Sequence, residues 1–413
     1  MNWFIFSVAL SILVLIDFYV FQGAKELIKK WSFPWRRTTY IAYWTATAYI
    51  LVSFLFYKIL GPQRISPHLQ RWSSVVFFII YVSKLPALFF LIIDDLIRIG
   101  RWLIVKFSHQ KQSYIGNKIS RSQFLVKASV VAAAIPATSL GFGILSGAYD
   151  YRVRRKKIPI TNLPKAFHGL RIGQLSDIHS GSFFNKTAVE GGVDLLMQEK
   201  PDLFVFTGDL VNNETSEVKD YKQVFARAKA PLGAYSTLGN HDYGDYRQWG
   251  SATAKKKNLD DLVQVHKEMG WDLLRNENRM IKLDGEQLSI IGVENWGGGR
   301  FAKYGDLSKA YAGSEESDTK ILLSHDPSHW DAQVRPGYQD INLMLAGHTH
   351  GFQFGVEIGN FRWSPSQYMY KQWADLYSKE NQHLYVNRGF GFIGYPGRVG
   401  ILPEITIIEL VQA

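Results

Sequence analysis

Three runs of about twenty residues, Trp3 to Gln22, Tyr40 to Leu60 and Trp72 to Ile93, carry one charged side chain each and are otherwise dominated by apolar residues. A helix needs ~20 such residues to cross the ~30 Å of hydrocarbon in a bilayer, so we expect three transmembrane helices. A cleaved signal peptide would be shorter, would start with basic residues and would not recur twice downstream. A fourth run, Ala128 to Tyr149, has no charge but is rich in Ala, Gly and Ser and holds Pro136. Its hydrophobicity is marginal, and both a fourth span and an interfacial segment stay open.

Composition constrains the chemistry open to the rest of the chain. The 413 residues include 47 Lys and Arg against 36 Asp and Glu, a net charge of +11, and no cysteine. The absence of cysteine excludes a disulfide framework, a thiolate zinc site and a cysteine nucleophile, so a metal here takes oxygen and nitrogen ligands. The positive charge raises nucleic acid as a partner, but the basic residues gather in the loops flanking the apolar runs, where topology and anionic headgroups account for them. We expect a lipid bilayer as a partner, and no nucleic acid.

Orientation is set by those loops. The first holds Lys25, Lys29, Lys30, Arg36 and Arg37, the third holds Arg98, Arg101, Lys106, Lys111, Lys118 and Arg121, and the second only Lys58, Arg64 and Arg71. Loops one and three therefore face the cytoplasm. Ser120 to Lys127 resembles a twin-arginine export signal whose second Arg is Ser122. If 128–149 spans, everything after it is extracytoplasmic; the basic cluster Arg152 to Lys157 argues the other way. The expectation is a multi-pass protein of a bacterial cytoplasmic membrane with its larger domain outside. Asp17 and Lys84 fall at similar depth in the apolar runs, as a polar site within the bilayer or as an ion pair that fixes packing, the simpler reading.

Beyond a basic linker at 151–165, residues 166–413 read as a β/α domain, with 1–150 as the membrane domain. Short apolar runs read as buried strands: Leu170 to Ser176, Leu203 to Thr207, Gly233 to Leu238, Leu288 to Glu294, Ile321 to Ser324 and Asn342 to Ala346. Helical patterns cover Lys186 to Gln198, Glu217 to Ala228 and Leu259 to Met269. The strand ends carry Asp177 and His179, Asp209, Asn240-His241-Asp242, His325-Asp326, and His348 with His350. These are carboxyl ends, where loops from successive strands converge in α/β sheets. Asp, His and Asn together suit Mn, Fe or Zn, and a carboxylate can bridge two such ions.

With these residues the chain resembles the calcineurin-like metallophosphoesterase family, whose blocks D-x-H, G-D, G-N-H-D/E, H and G-H-x-H occur in order between about Leu170 and Leu410. The spellings Leu175 to His179 and Leu238 to Tyr243, and the tail from Tyr385 to Thr406, look like its bacterial membrane-associated or exported subgroup, some of whose members act on UDP-diacylglucosamine. The resemblance implies a β-sandwich flanked by helices and a hydroxide, bridging two divalent ions, that hydrolyses a phosphoester or pyrophosphate bond of a phosphorylated substrate, a lipid-linked one among the candidates. An extracytoplasmic site would exclude a UDP-linked lipid made in the cytosol and leave exported phospholipid or wall-precursor phosphates. Asp177, His179 and His350 would hold one ion, Asn240, His325 and His348 the other, with Asp209 bridging. His241 would protonate the leaving oxygen or stabilise the transition state, with Asp242 as its orienting neighbour. Phe352 departs from the subgroup, which has a second Gly there, and a bulky side chain would reshape the substrate mouth. A sensor that keeps the fold only to bind a phosphorylated ligand is the alternative. His168, His266, His329 and His383 match no block and read as packing or surface residues. Arg300 and Arg388 read as solvated, with phosphate contact the alternative, and Trp296 to Gly299 as a flexible rim of the site.

Overall fold

The charge-poor runs are helices in the computed structural model, which describes residues 2–61, 64–107, 123–299, 301–359 and 361–413. Contacts divide the chain into Met1–Phe142 and Gly143–Ala413. In the first part α1 (Trp3–Ile28) starts at Asn2, whose side chain accepts from the Phe4 amide, and α2 (Phe33–Leu60) has a proline in its first turn and stops at Gly61. They are followed by α3 (Pro67–Phe107) and α4 (Gln123–Leu145). All four are long and apolar enough to cross a membrane, including the one of marginal composition. The first three residues of the twin-arginine-like stretch, with Lys111 and Lys118, lie outside the described residues.

Asp17 and Lys84 form an ion pair between α1 and α3. Tyr81 donates to the same carboxylate at 2.8 Å, and Tyr43 of α2 donates to the Asp17 carbonyl at 2.8 Å. A charge in hydrocarbon is costly unless paired, so this cluster ties three helices together.

The second part is built on two six-stranded sheets. In chain order its strands and helices begin with β1 (Arg152–Ile160), β2 (Arg171–Leu175), α5 (Lys186–Gln198), β3 (Leu203–Thr207), α6 (Lys222–Phe225), β4 (Ala234–Thr237), α7 (Ala252–Met269) and β5 (Asp272–Leu273). Then come β6 (Glu277–Leu283), β7 (Glu286–Gly292), α8 (Leu307–Tyr311), β8 (Lys320–Leu323), β9 (Ile341–Ala346), β10 (Val356–Ile358), β11 (Phe361–Trp363), β12 (Asp375–Lys379), β13 (Gln382–Val386) and β14 (Glu404–Gln412). One sheet runs β1-β14-β2-β3-β4-β5 and the other β12-β13-β9-β8-β7-β6, while β10 and β11 form a separate hairpin.

Alternation along the strands makes the layers. Leu343 and Leu345 of β9 join Ile172, Val205 and Ile408 in the core between the sheets. Met344 and Ala346 point the other way, onto Trp330 and Val334. The outer face of the first sheet, with Phe204 and Phe206, packs on Val189, Val193 and Leu196 of α5 and Leu262 of α7. The architecture is the helix-flanked β-sandwich expected.

Two expectations are corrected. The basic stretch expected as a linker is β1, which pairs along its full length with β14. Its charge is compensated within the fold: Arg152, Arg154, Arg155, Lys156 and Lys157 each pair with a carboxylate, from Asp150, Glu357, Glu199, Asp375 and Glu409 in turn. The helix expected over Glu217 to Ala228 breaks into a turn at Thr215–Val218 and the short α6.

Candidate metal centre

The ends of β2, β3, β4, β8 and β9 converge, bringing strand-end residues of both sheets together. Asp177, His179 and His350 form one group of donor atoms, and Asp209, His325 and His348 another, with the atoms in each within 4.8 Å of one another. Asp209 lies between them, its Oδ2 at 3.5 Å from His179 Nε2 and 3.1 Å from His325 Nε2. Asn240 follows β4, and its amide nitrogen donates to Tyr246 at 2.9 Å. Its Oδ1 is buried without a partner, as is His179 Nδ1.

The backbone is bent to present these groups. Asp177, His179, Asp209, His348 and His350 all have φ between 49° and 71°, the left-handed region that side chains with a Cβ avoid. Close approach requires glycine in between. A Cβ on Gly347 would lie 1.9 Å from Ser176 Oγ and 2.2 Å from Asp177 Oδ2, and one on Gly239 would lie 2.2 Å from Asp209 Oδ1.

The electrostatics favour cations. Burial works to raise the Asp209 carboxyl, but His325, His241 and His179 hold it well below the usual carboxylate range. Burial likewise opposes the ionised Asp177, and His350 and His325 outweigh it. Burial resists a proton on His325, yet Asp209 and Asp177 push that imidazole up to about 10. Burial strips His179 of its basicity. Ionised carboxylates, imidazole nitrogens and an orphan amide oxygen form a donor set that fits two divalent ions with O and N ligands, a bound cation taking the place of the proton that the carboxylates draw onto His325.

His241 is fixed at the edge of this cluster. Its amide donates to Asp209 Oδ1 at 2.9 Å, and its Nδ1 donates to the Asn212 carbonyl at 2.9 Å, which makes Nε2 the lone-pair nitrogen of the neutral ring. Asp242 is not the group that orients it. The buried Asp242 carboxylate accepts from the amides of Asp209, Leu210, Val211 and Gly239 at 2.8–3.2 Å, and so clamps the loops after β3 and β4 together. Its partners are main-chain amides, which sequence does not reveal.

Motif spacing assigned no role to three further groups. Tyr370 lies at 2.7 Å from His348 Nε2, and the buried Asp326 has Oδ2 at 3.5 Å from the same nitrogen. Arg398 is buried and donates to the carbonyls of Gly389 and Gly391, beside His350. Arg388, read as solvated, is fully buried between Glu404 and Glu357. Arg300 lies outside the described residues. Gly297 approaches the site: a Cβ there would lie 2.6 Å from Asp326 Oδ2. Phe352 has φ 58° and is exposed, so it takes a glycine-like backbone while pointing its ring outward. His266 and His329 are buried in packing roles; His329 stacks on Trp296 at 4.7 Å.

Comparisons with known proteins identify the family. Residues 170–352 match the model of the calcineurin-like phosphoesterase family, and residues 1–148 match a domain described as "Probable Calcineurin-like phosphoesterase, transmembrane domain". A transmembrane protein with metallophosphoesterase domain from Danio rerio is 28% identical, over 84% of this chain and 75% of its own. The metallophosphoesterase YkuE of Bacillus subtilis is 30% identical over 71% of this chain and 98% of its own. The UDP-2,3-diacylglucosamine pyrophosphatase LpxG of Chlamydia trachomatis is 27% identical over 64% of this chain and 92% of its own. The chain therefore belongs to the calcineurin-like phosphoesterase family, as an integral-membrane metallophosphoesterase.

Proposed function

We propose that this chain hydrolyses a phosphoester or pyrophosphate bond of a lipid-linked substrate at a two-metal site. Asp177, His179 and His350 hold one ion, Asn240, His325 and His348 the other, and Asp209 bridges. The observation that carries this reading is the position of Asp209 Oδ2, 3.5 Å from His179 Nε2 of one donor group and 3.1 Å from His325 Nε2 of its own. Divalent ions bound there supply Lewis acidity toward the phosphoryl oxygens and activate water. Mn, Fe and Zn all suit these donors.

The chain's own residues do the remaining work. Asp242 fixes the spacing of the loops that carry Asp209 and Asn240. His241 is held by the Asn212 carbonyl at Nδ1, and in its doubly protonated form the ring gives the Nε2 proton to the leaving oxygen and keeps the one on Nδ1. The lipid-linked substrate is supported by the membrane domain. Elemental analysis of the purified chain, paired with hydrolysis of phospholipid and of a soluble aryl phosphodiester, tests both parts. Two ions per chain and turnover of both substrates are expected; a metal-loaded chain that turns over neither would make it a binding protein.

We also propose that the catalytic unit lies outside the cytoplasm. Four helices with loops one and three inside put the end of α4 outside. The cluster Arg152 to Lys157, which opposed this orientation, is engaged with carboxylates of its own unit. Protease added to intact spheroplasts should remove the region after Tyr149, and protection until the membrane is permeabilised would reverse the orientation.

A further inference from the structure

The described residues of Gly143–Ala413 leave eleven large apolar side chains exposed, and seven of them lie within 352–369. This segment holds the β10–β11 hairpin, in which Ile358 is paired with Phe361 and Glu357 with Arg362. Directly opposed residues share a face and neighbours alternate, so the hairpin has two unlike sides. Glu357 and Arg362 point inward: Glu357 accepts from the buried Arg388 at 2.7 Å, and Arg362 pairs with Asp375 at 3.3 Å. Ile358 and Phe361 point outward, 72% and 61% exposed. Tyr368 and Met369, 77% and 67% exposed, lie beside them, with Trp363 and Tyr368 in side-chain contact. A face this apolar, pinned from behind by ion pairs, is not a loose loop, and soluble surfaces rarely concentrate their apolar side chains so.

Its position indicates what covers it. The Gly355 amide donates to Val399 at 2.9 Å and the Val399 amide to Gln353 at 2.8 Å, which joins the root of the hairpin to the 397–400 loop. That loop touches the last turn of α4: the Arg398 amide donates to the Gly143 carbonyl at 3.1 Å. Two residues later comes Leu145, 87% exposed, at the end of a helix that crosses the membrane. The apolar face is thus joined through main-chain hydrogen bonds to the end of α4, a helix long and apolar enough to cross a membrane.

We propose that the outer face of the β10–β11 hairpin, with Tyr368 and Met369, seats in the interfacial layer of the bilayer that α4 spans. The catalytic unit then has a second membrane contact besides its tether. Tyr370 touches both this segment and His348, so the contact holds the mouth of the metal centre at the lipid surface. The inference goes beyond the hydrolytic reading and does not depend on it.

The chain has no cysteine, so one introduced thiol can be labelled alone. Full-length chain carrying Ile358→Cys or Phe361→Cys, labelled with a nitrobenzoxadiazole dye, would be placed singly in phosphatidylethanolamine–phosphatidylglycerol nanodiscs. Lys267→Cys on α7 serves as the exposed control. Doxyl groups on the acyl chains should quench the 358 and 361 labels at least twofold and leave 267 unchanged, while aqueous iodide should show the reverse order. Adding Phe361→Asp to the 358 label should at least halve the lipid quenching. Equal iodide access at all three positions would overturn the proposal. So would protection that appears only when two chains share a disc, which would make the face a contact between copies.

Discussion

His179 and His350 face each other through their Nε2 atoms at 3.0 Å, with rings stacked at 4.9 Å between centroids. One follows β2 in the first sheet and the other follows β9 in the second, so the contact joins the two halves of the sandwich. Burial lowers the basicity of both rings. Two largely neutral imidazoles can share one proton between these nitrogens at most, and the same nitrogens lie 3.2 Å from Asp177 Oδ1 and 3.5 Å from Asp209 Oδ2.

Replacing Asp209 with Asn should release both ions and lower the rate by about 10²–10³ or more, because one carboxylate serves two donor groups. His241→Ala should keep both ions and lose about 10²–10⁴ in kcat, with little change in KM. Metal content measured beside turnover separates the two. An Asp209→Asn chain with two ions and normal rates would refute the bridge.

Asp242→Asn tests whether that carboxylate clamps loops or orients His241. As a clamp, it should cost about 1–3 kcal/mol of stability and reduce metal occupancy, since a buried carboxyl group that accepts from four amides is replaced by a group with one acceptor oxygen. Thermal melting in detergent checks this. Unchanged Tm and metal content with reduced kcat would restore the orienting role.

Gly347→Ala forces a methyl group against Ser176 Oγ and Asp177 Oδ2. Overpacking of this kind costs about 1–3 kcal/mol, and here it displaces a ligand. The expected result is a lower Tm with a disproportionate loss of affinity for the first ion, read by metal titration.

Burial pushes the His266 imidazole down to about 3, against an ordinary value near 6.5. Between those values the unfolded chain binds a proton that the folded chain does not, so stability falls as pH falls through this window, by up to about 1.4 kcal/mol per pH unit. His266→Phe, sized for the neighbouring Phe206 and Trp271 rings, removes that term. Its Tm should decline less than that of the parent between pH 6.5 and 4.5; parallel declines would contradict the assignment.

The strands that carry the site were legible because β3, β8 and β9 are short and buried on both faces, which makes them uninterrupted apolar runs ending in Asp or His. β1 was not. Arg154 and Lys156 find their carboxylates at Glu357, Glu404 and Asp375, some two hundred residues on, and nothing local marks RVRRKKIPI as a strand. The hairpin was missed for a related reason: β10 and β11 have three residues each, too short for alternation to register. Tyr370 and Arg398 reach the site from loops whose spacing to the motifs is set by tertiary packing alone.

The central claim is that hydrolysis depends on ions held by these donors. The most direct measurement is turnover of an aryl phosphodiester by the detergent-solubilised chain, with metal content followed, before chelation, after exhaustive chelation and after adding Mn. Activity should vanish with the ions and return as about two per chain are restored. Full activity in a chain shown to be metal-free would contradict the account.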